Sequence, residues 1–280
     1  MVKLQLPPVN PDALLNKCLE GEGDYLLTGI FTSISNTISS ANEEYIEKAL
    51  IGELSTISRE EIFQGYHLKN DFIRLYEEHM SKSKGYAKAL YNTIIENANV
   101  CGMCFHQIPY NLDHYLPKSK YPVFSVYPYN LIPSCRDCNT HKGTYTATEP
   151  DEELLHPYFD DNIFFNEPWL EAVILETTPA TAVFKVSTPD EWGENKQKRL
   201  EKHLTKYKLG RLYSAQAINE ISAQIHLFKG YYEREGAEGL KLYLERNAES
   251  RSRQFPNSWQ ASLYRGLSKS EWFYSEYCAN

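Results

Sequence analysis

The 280-residue sequence has no apolar run of membrane-spanning length, no excess of positive charge, no internal repeat and no low-complexity linker. Nothing approaches the roughly 18–20 unbroken apolar residues of a transmembrane helix. The opening MVKLQLPPVNPDALL, broken by two adjacent prolines, does not read as a signal peptide. A cytoplasmic protein without membrane association is expected. With 29 Lys and Arg against 37 Asp and Glu, the net charge is −8. That excludes a uniformly basic surface of the kind that neutralises nucleic-acid phosphates. Any grip on DNA must be local, or supplied in part by another subunit. Hydrophobic residues at 42% and charged residues at 24% are ordinary for a globular chain, and the length suits one large domain or two small ones.

Cysteine is scarce but pointedly placed. Cys101/Cys104 and Cys135/Cys138 form two C-x-x-C pairs, while Cys18 and Cys278 stand alone near the ends. In a reducing compartment such pairs read as a metal site rather than a disulfide framework. Two tight knuckles about thirty residues apart can set four thiolates around one structural Zn²⁺, which then supplies much of the folding free energy of a small module. A redox dithiol is the weaker alternative, since it calls for one C-x-x-C at a helix start. The lone cysteines read as plain buried residues.

Residues 12 to about 97 read as helical. The spacing of Ile62, Phe63, Tyr66, Ile73, Leu75 and Tyr76 predicts a helix over Ser58–Met80, weakened by Gly65, and a second from near Gly85 to the first cysteine pair. From Val100 to Tyr145, Pro, Tyr and Asn cluster and charge thins, which is loop and short-strand chemistry. A short helix is expected from around Ser134–Cys138 to just past His141. Further on, WLEAVILET and TAVFKVST read as two strands joined at a Thr-Pro turn, and helices return from about Asp190. The expected architecture is α+β and mostly helical, in three parts. These are an N-terminal helical region (1–97), a zinc-stapled module (98–160), and a C-terminal β-hairpin with helices (161–280).

Between the cysteine pairs lie Asp113-His114, then Asn130, then Asn139 directly after Cys138. Taken singly, these are a turn cap, a satisfied buried histidine and two turn asparagines. Read in order, CGMC, LDHYLPKS, YNLIPSC and CRDCNTHKG together resemble the HNH endonuclease family. HPYFD after the motif and NSWQASLY near the end extend the likeness towards HNH subunits of bacterial anti-phage systems, of the Septu and retron-associated kinds.

The resemblance implies a ββα-metal module that hydrolyses DNA phosphodiesters with Mg²⁺ or Mn²⁺. A neutral imidazole suits water activation, so His114 is the expected general base. Asp113 and Asn139 offer oxygen ligands to a hard cation, and Asn130 is expected to pin the loop and orient His114. Lys118, Lys120, Arg136 and Lys142 form an expected basic rim for DNA. Lys198, Lys202 and Lys206 are either a second stripe or a solvated helix face. Many family members carry histidine in place of Asn139, and some add a further histidine ligand where this chain has Gly143. His141 and His156 are accessory candidates only. An ATPase partner or self-assembly is expected to complete the DNA grip. A zinc-stabilised adaptor without catalysis, or an RNase, is the alternative.

Overall fold

The computed structural model describes residues 2–59 and 62–279. The chain is α+β and mostly helical, with three two-stranded antiparallel sheets among the described residues. It divides into two compact units, Lys3–Asp160 and a second built from Asp161 onward. No helix among the described residues is long and apolar enough to cross a membrane.

In the first unit, α1 (Pro11–Glu20) starts where the Asn10 side chain accepts from Ala13 N at 2.9 Å and Pro11 fills the first turn. Asp24 caps α2 (Tyr25–Ser33) in the same way, and α3 (Ser35–Ile51) follows. The helix expected over Ser58–Met80 is not formed as such. Instead β1 (Ile62–Phe63) and β2 (Tyr66–His67) pair around Gln64 and Gly65, both at positive φ. Two successive left-handed residues make the tight turn that suits the twist of a hairpin, and they end any helix there. Glu60 and Glu61, also in that expected helix, lie outside the described residues. Helix begins only at α4 (Lys69–Arg74) and continues as a π turn over Leu75–Ser81. Helix α5 (Lys88–Glu96) then leads to the first cysteine pair. Phe31, Phe72, Leu75 and Ile94 are fully buried, and Phe31 meets Phe72 edge-on at 4.9 Å.

A small ββα module completes this unit. Strand β3 (Asn111–His114) pairs antiparallel with β4 (Leu131–Ser134), placing Asp113 opposite Ile132 and His114 opposite Leu131. Helix α6 (Arg136–Lys142) follows, with Cys135 at its N-cap.

The second unit opens with α7 (Ile163–Asn166), then β5 (Leu170–Leu175) and β6 (Thr181–Val186), the hairpin expected from the alternating runs. After α8 (Gly193–Lys206), helix α9 spans Leu209–Ser252 but breaks at Gly236, whose φ of 71° and ψ of −172° are not helical. Tyr231 and Tyr243 stack at 4.2 Å across the break, whereas a continuous helix would hold them about 18 Å apart. Arg251 likewise comes within 4.0 Å of Glu220. So α9 is an antiparallel helical hairpin turned on one glycine. Helix α10 (Trp259–Lys269), capped by Ser258, packs against it and against β5. The NSWQASLY segment is structural here: Asn257 is buried, accepts from Trp169 N and Leu170 N, and donates to the Phe164 and Glu167 carbonyls.

Candidate functional site

The four paired cysteines meet as the spacing predicts. Their sulfurs all lie within 4.8 Å of one another and all four residues are buried. Tetrahedral ligation at about 2.3 Å per Zn–S bond places thiolates close to that separation, so the cluster fits one zinc ion. The knuckles already turn backbone donors onto sulfur: Met103 N onto Cys101, Gln107 N onto Cys104 and Cys138 N onto Cys135, at 3.4–3.5 Å. Such donors favour the anionic thiolate a metal requires. Packed this closely, the thiols titrate together. Hydrogen bonds from Cys104, Cys135 and Cys138 hold Cys101 far below the usual thiol range, while bonding to the same group holds Cys138 far above it. Cys18 and Cys278 are isolated and buried, and burial raises both thiols to about 12. They are inert by comparison.

His114 sits on the last residue of β3, 7% exposed. One ring nitrogen, Nε2, is 2.8 Å from the Ser125 carbonyl. A carbonyl oxygen only accepts, so Nε2 carries the proton and Nδ1 keeps a free lone pair. Burial lowers the His114 pKa to about 3 despite that bond, and the charges of Lys118 and Lys142 add to the effect. The imidazole is therefore neutral across the physiological range. Tyr76, from the π turn, lays its ring edge-on at 4.4 Å and donates to the Leu112 carbonyl, while Leu112 N donates to Tyr91 of α5. The N-terminal helices thus clamp β3 from outside.

Asp113 is 5% exposed, and burial raises its pKa to about 6 against the opposing charge of Lys142. Its Oδ1 faces Lys142 Nζ at 3.3 Å, whereas its Oδ2 is buried with no hydrogen-bond partner. An orphaned buried carboxylate oxygen is costly unless something positive meets it. That is the local observation favouring a cation here. Asn139, half-buried on α6 directly after Cys138, offers a further oxygen.

Asn130 is fully buried and uses all of its bonding capacity. Its Oδ1 accepts from Leu116 N at 2.7 Å and Tyr45 Oη at 3.1 Å, and its Nδ2 donates to the Leu116 and Phe124 carbonyls. None of these side-chain bonds goes to Asp113 or His114; they close the loop from which Ser125 orients His114. His156 stands behind it. Nδ1 accepts from Tyr158 N, so Nε2 donates to Tyr45, whose hydroxyl in turn donates to Asn130 Oδ1. His141 is half-buried, and its Nδ1 has no hydrogen-bond partner.

The basic rim is thinner than expected. Lys142 is buried, its ammonium spent on Asp113 and, at 2.5 Å, on the His114 carbonyl. It holds the Asp-His pair from within and is not part of a surface rim. Sequence carries a signal for this: Lys142 lies four residues after Cys138, on the same buried helix face. Lys118 is ion-paired to Glu77, and Arg136 stacks on Tyr110 at 3.6 Å. Lys120 meets Thr146 Oγ1. In the second unit, Lys198 pairs with Glu194.

Over 294 aligned positions the chain is 29% identical to protein ea31 of Escherichia phage lambda, covering 98% of this chain and 99% of that protein. A 49-residue stretch is 41% identical to Septu protein PtuB of Bacillus thuringiensis, covering 18% of each chain. No family model matches the sequence, and no solved structure matches it.

Proposed function

We propose that this chain is a divalent-metal-dependent HNH-type endonuclease that hydrolyses DNA phosphodiesters in the conflict between phages and bacteria. One observation carries the reading. His114, neutral and with Nδ1 open, stands beside Asp113 with its orphaned Oδ2, at the end of a strand stapled by four cysteines. His114 Nδ1 takes the proton of the attacking water. Ser125 holds the ring in the tautomer that leaves that lone pair free, and Lys142 fixes the backbone of the pair. Asn130 closes the loop bearing Ser125. A Mg²⁺ or Mn²⁺ held by Asp113 and Asn139 supplies, when bound, stabilisation of charge at the phosphate and the leaving oxygen.

The partial likeness to PtuB supports a defence setting with a partner subunit, and the full-length likeness to ea31 supports a role tied to phage. The net charge of −8, with Lys142 buried and Lys118 ion-paired, also favours a partner or self-assembly that helps to hold the duplex. The same charge favours a second reading, a zinc-stabilised adaptor. Incubation of linear DNA and RNA duplexes with Mg²⁺ or Mn²⁺ separates the two. The enzyme leaves fragments, and His114→Ala lowers the rate by at least about 10²–10⁴ while zinc content is unchanged. Cleavage by His114→Ala at the parental rate would overturn the assignment of the base.

A further inference from the structure

Most cations of the first unit with a described partner sit against a carboxylate: Lys17 on Glu20, Lys48 on Glu53, Arg74 on Glu22, Lys82 on Glu78, Lys118 on Glu77 and Lys142 on Asp113. Two others converge on a neutral oxygen instead. Arg59 Nη2 donates to Thr146 Oγ1 at 3.3 Å, and Lys120 Nζ donates to the same oxygen at 3.2 Å. Neither forms an ion pair among the described residues. Arg59 is held in this pose from behind, with Nε on the hydroxyl of the buried Tyr121 at 3.4 Å and its guanidinium 5.8 Å from the centre of that ring.

Like charges repel, so a pair directed at one point with no anion between them leaves an electrostatic demand unmet. A hydroxyl that accepts from both cations keeps its own proton free to donate. The three groups therefore present donors only: a guanidinium fork, an ammonium and an O–H. That set rejects a cation and favours a tetrahedral oxyanion over a neutral acceptor. The position is also informative. Thr146 and Lys142 line one small cavity together with Tyr115, Leu116 and Glu153, and Lys142 holds Asp113 and the His114 backbone. Thr146 thus shares a cavity with the lysine that supports the Asp-His pair, and of the cations it gathers the sequence pattern marked Lys120 but not Arg59.

We propose that Arg59, Lys120 and Thr146 form a phosphate clamp that grips one backbone phosphodiester of the nucleic acid bound at the His114 site. The proposal rests on the nuclease reading for its ligand, and its test separates the two. The full chain carrying His114→Ala, which binds without cutting, is titrated with a short DNA duplex, and again with an RNA duplex, across a range of salt concentrations. Each neutralised phosphate contributes a slope of about −0.9 in log affinity against log salt. Because both cations share one phosphate, the double variant Arg59→Gln/Lys120→Gln should flatten the slope by a single step of about 0.9, and each single variant by less than that step, so the double variant decides. An unchanged slope overturns the clamp. A double variant that loses about 1.8 overturns the sharing, since the two residues then hold separate phosphates. A chain that shows the clamp signature but, with His114 intact, leaves every duplex whole keeps the clamp and overturns the nuclease reading. A chain that cuts with the slope unaffected does the reverse, and one that binds no duplex overturns both.

Discussion

Two buried asparagines, one in each unit, each make four side-chain hydrogen bonds and hold different things. Asn130 closes the irregular loop between β3 and β4, and Asn257 ties the approach of β5 to the chain before α10. The unit that holds Asn257 has an apolar helical core, with Leu240, Leu244, Ala261 and Leu263 fully buried. Around Asn130 the loop is packed by apolar and aromatic side chains as well, with Tyr121, Phe124, Val126 and Tyr127 buried and Tyr45 edge-on to Phe124 at 5.0 Å. What it has in addition is a cluster of four thiols, a Tyr–His hydrogen-bond chain and an internal lysine. Apolar burial places both regions, and in the loop that carries the candidate chemistry directional bonds also set how its polar groups point.

The widest separation of the two regions should come from zinc. Elemental analysis should give about one zinc per chain. Its apparent binding free energy, about 10–16 kcal/mol for small zinc modules, is comparable to the whole stability of a domain. Removal by a chelator, or Cys135→Ser, should therefore abolish amide protection across 101–146 while the helices of the second unit keep theirs. Protection that survives chelation in both regions would show that the thiols are not a structural staple.

Next in size is the asparagine comparison itself. Asn130→Ala and Asn257→Ala each strand several buried backbone groups, at about 1–3 kcal/mol for each partner left without its bond. Both should lower the melting temperature. Only Asn130→Ala should also reduce cleavage measured well below that temperature, because only Asn130 closes the loop that fixes the tautomer of His114. Equal losses of activity in the two variants would erase the distinction.

A smaller effect concerns pH. Asp113, with its pKa raised to about 6, takes up a proton as pH falls through that value, while His114, lowered to about 3, stays neutral. Cleavage should therefore fall below about pH 6, and excess Mn²⁺ should restore it, since metal and proton compete for Asp113. A loss that metal cannot reverse would place the titration on the base. In the metal-free protein the two shifts oppose each other. Between about pH 4 and 6 the native state binds one proton more at Asp113 and one fewer at His114 than the unfolded chain, so this pair gives no net slope. Asp113→Asn should uncover the His114 contribution, with stability rising by up to about 1.4 kcal/mol per pH unit from about pH 3 to 6.5.

Short-range features were legible in the sequence. The cysteine knuckles, the short helix after Cys135 and the β5–β6 hairpin each follow from spacing or alternation within a few residues. What escaped depends on partners far along the chain. Tyr45 reaches Asn130 across 85 residues, and Tyr76 reaches Leu112 across 36, so neither tyrosine carries a local mark of its place at the site. Arg59 looked like the start of a helix because Ile62 and Phe63 fall at helical spacing, and the left-handed turn at Gln64-Gly65 outweighs that periodicity. The fold of α9 escaped for a similar reason, since one glycine in a long helical stretch is usually tolerated.

That glycine has a consequence for assembly. At Gly236, φ of 71° with ψ of −172° is a conformation essentially closed to other residues, and forcing a side chain into it costs about 1–3 kcal/mol. Gly236→Ala should relieve the strain by letting the two arms run on as one rod, roughly 66 Å long at the α-helical rise. The arm released from its own chain is then available to the same groove in a second molecule. Such an exchange keeps every contact, Tyr231 on Tyr243 included, but makes it between copies. Light scattering should show a concentration-dependent dimer with the zinc content of the parent, and a strictly monomeric variant would show that the hairpin is held by more than its turn. The same hinge that lets one chain close upon itself is thus a latent route to two chains closed upon each other.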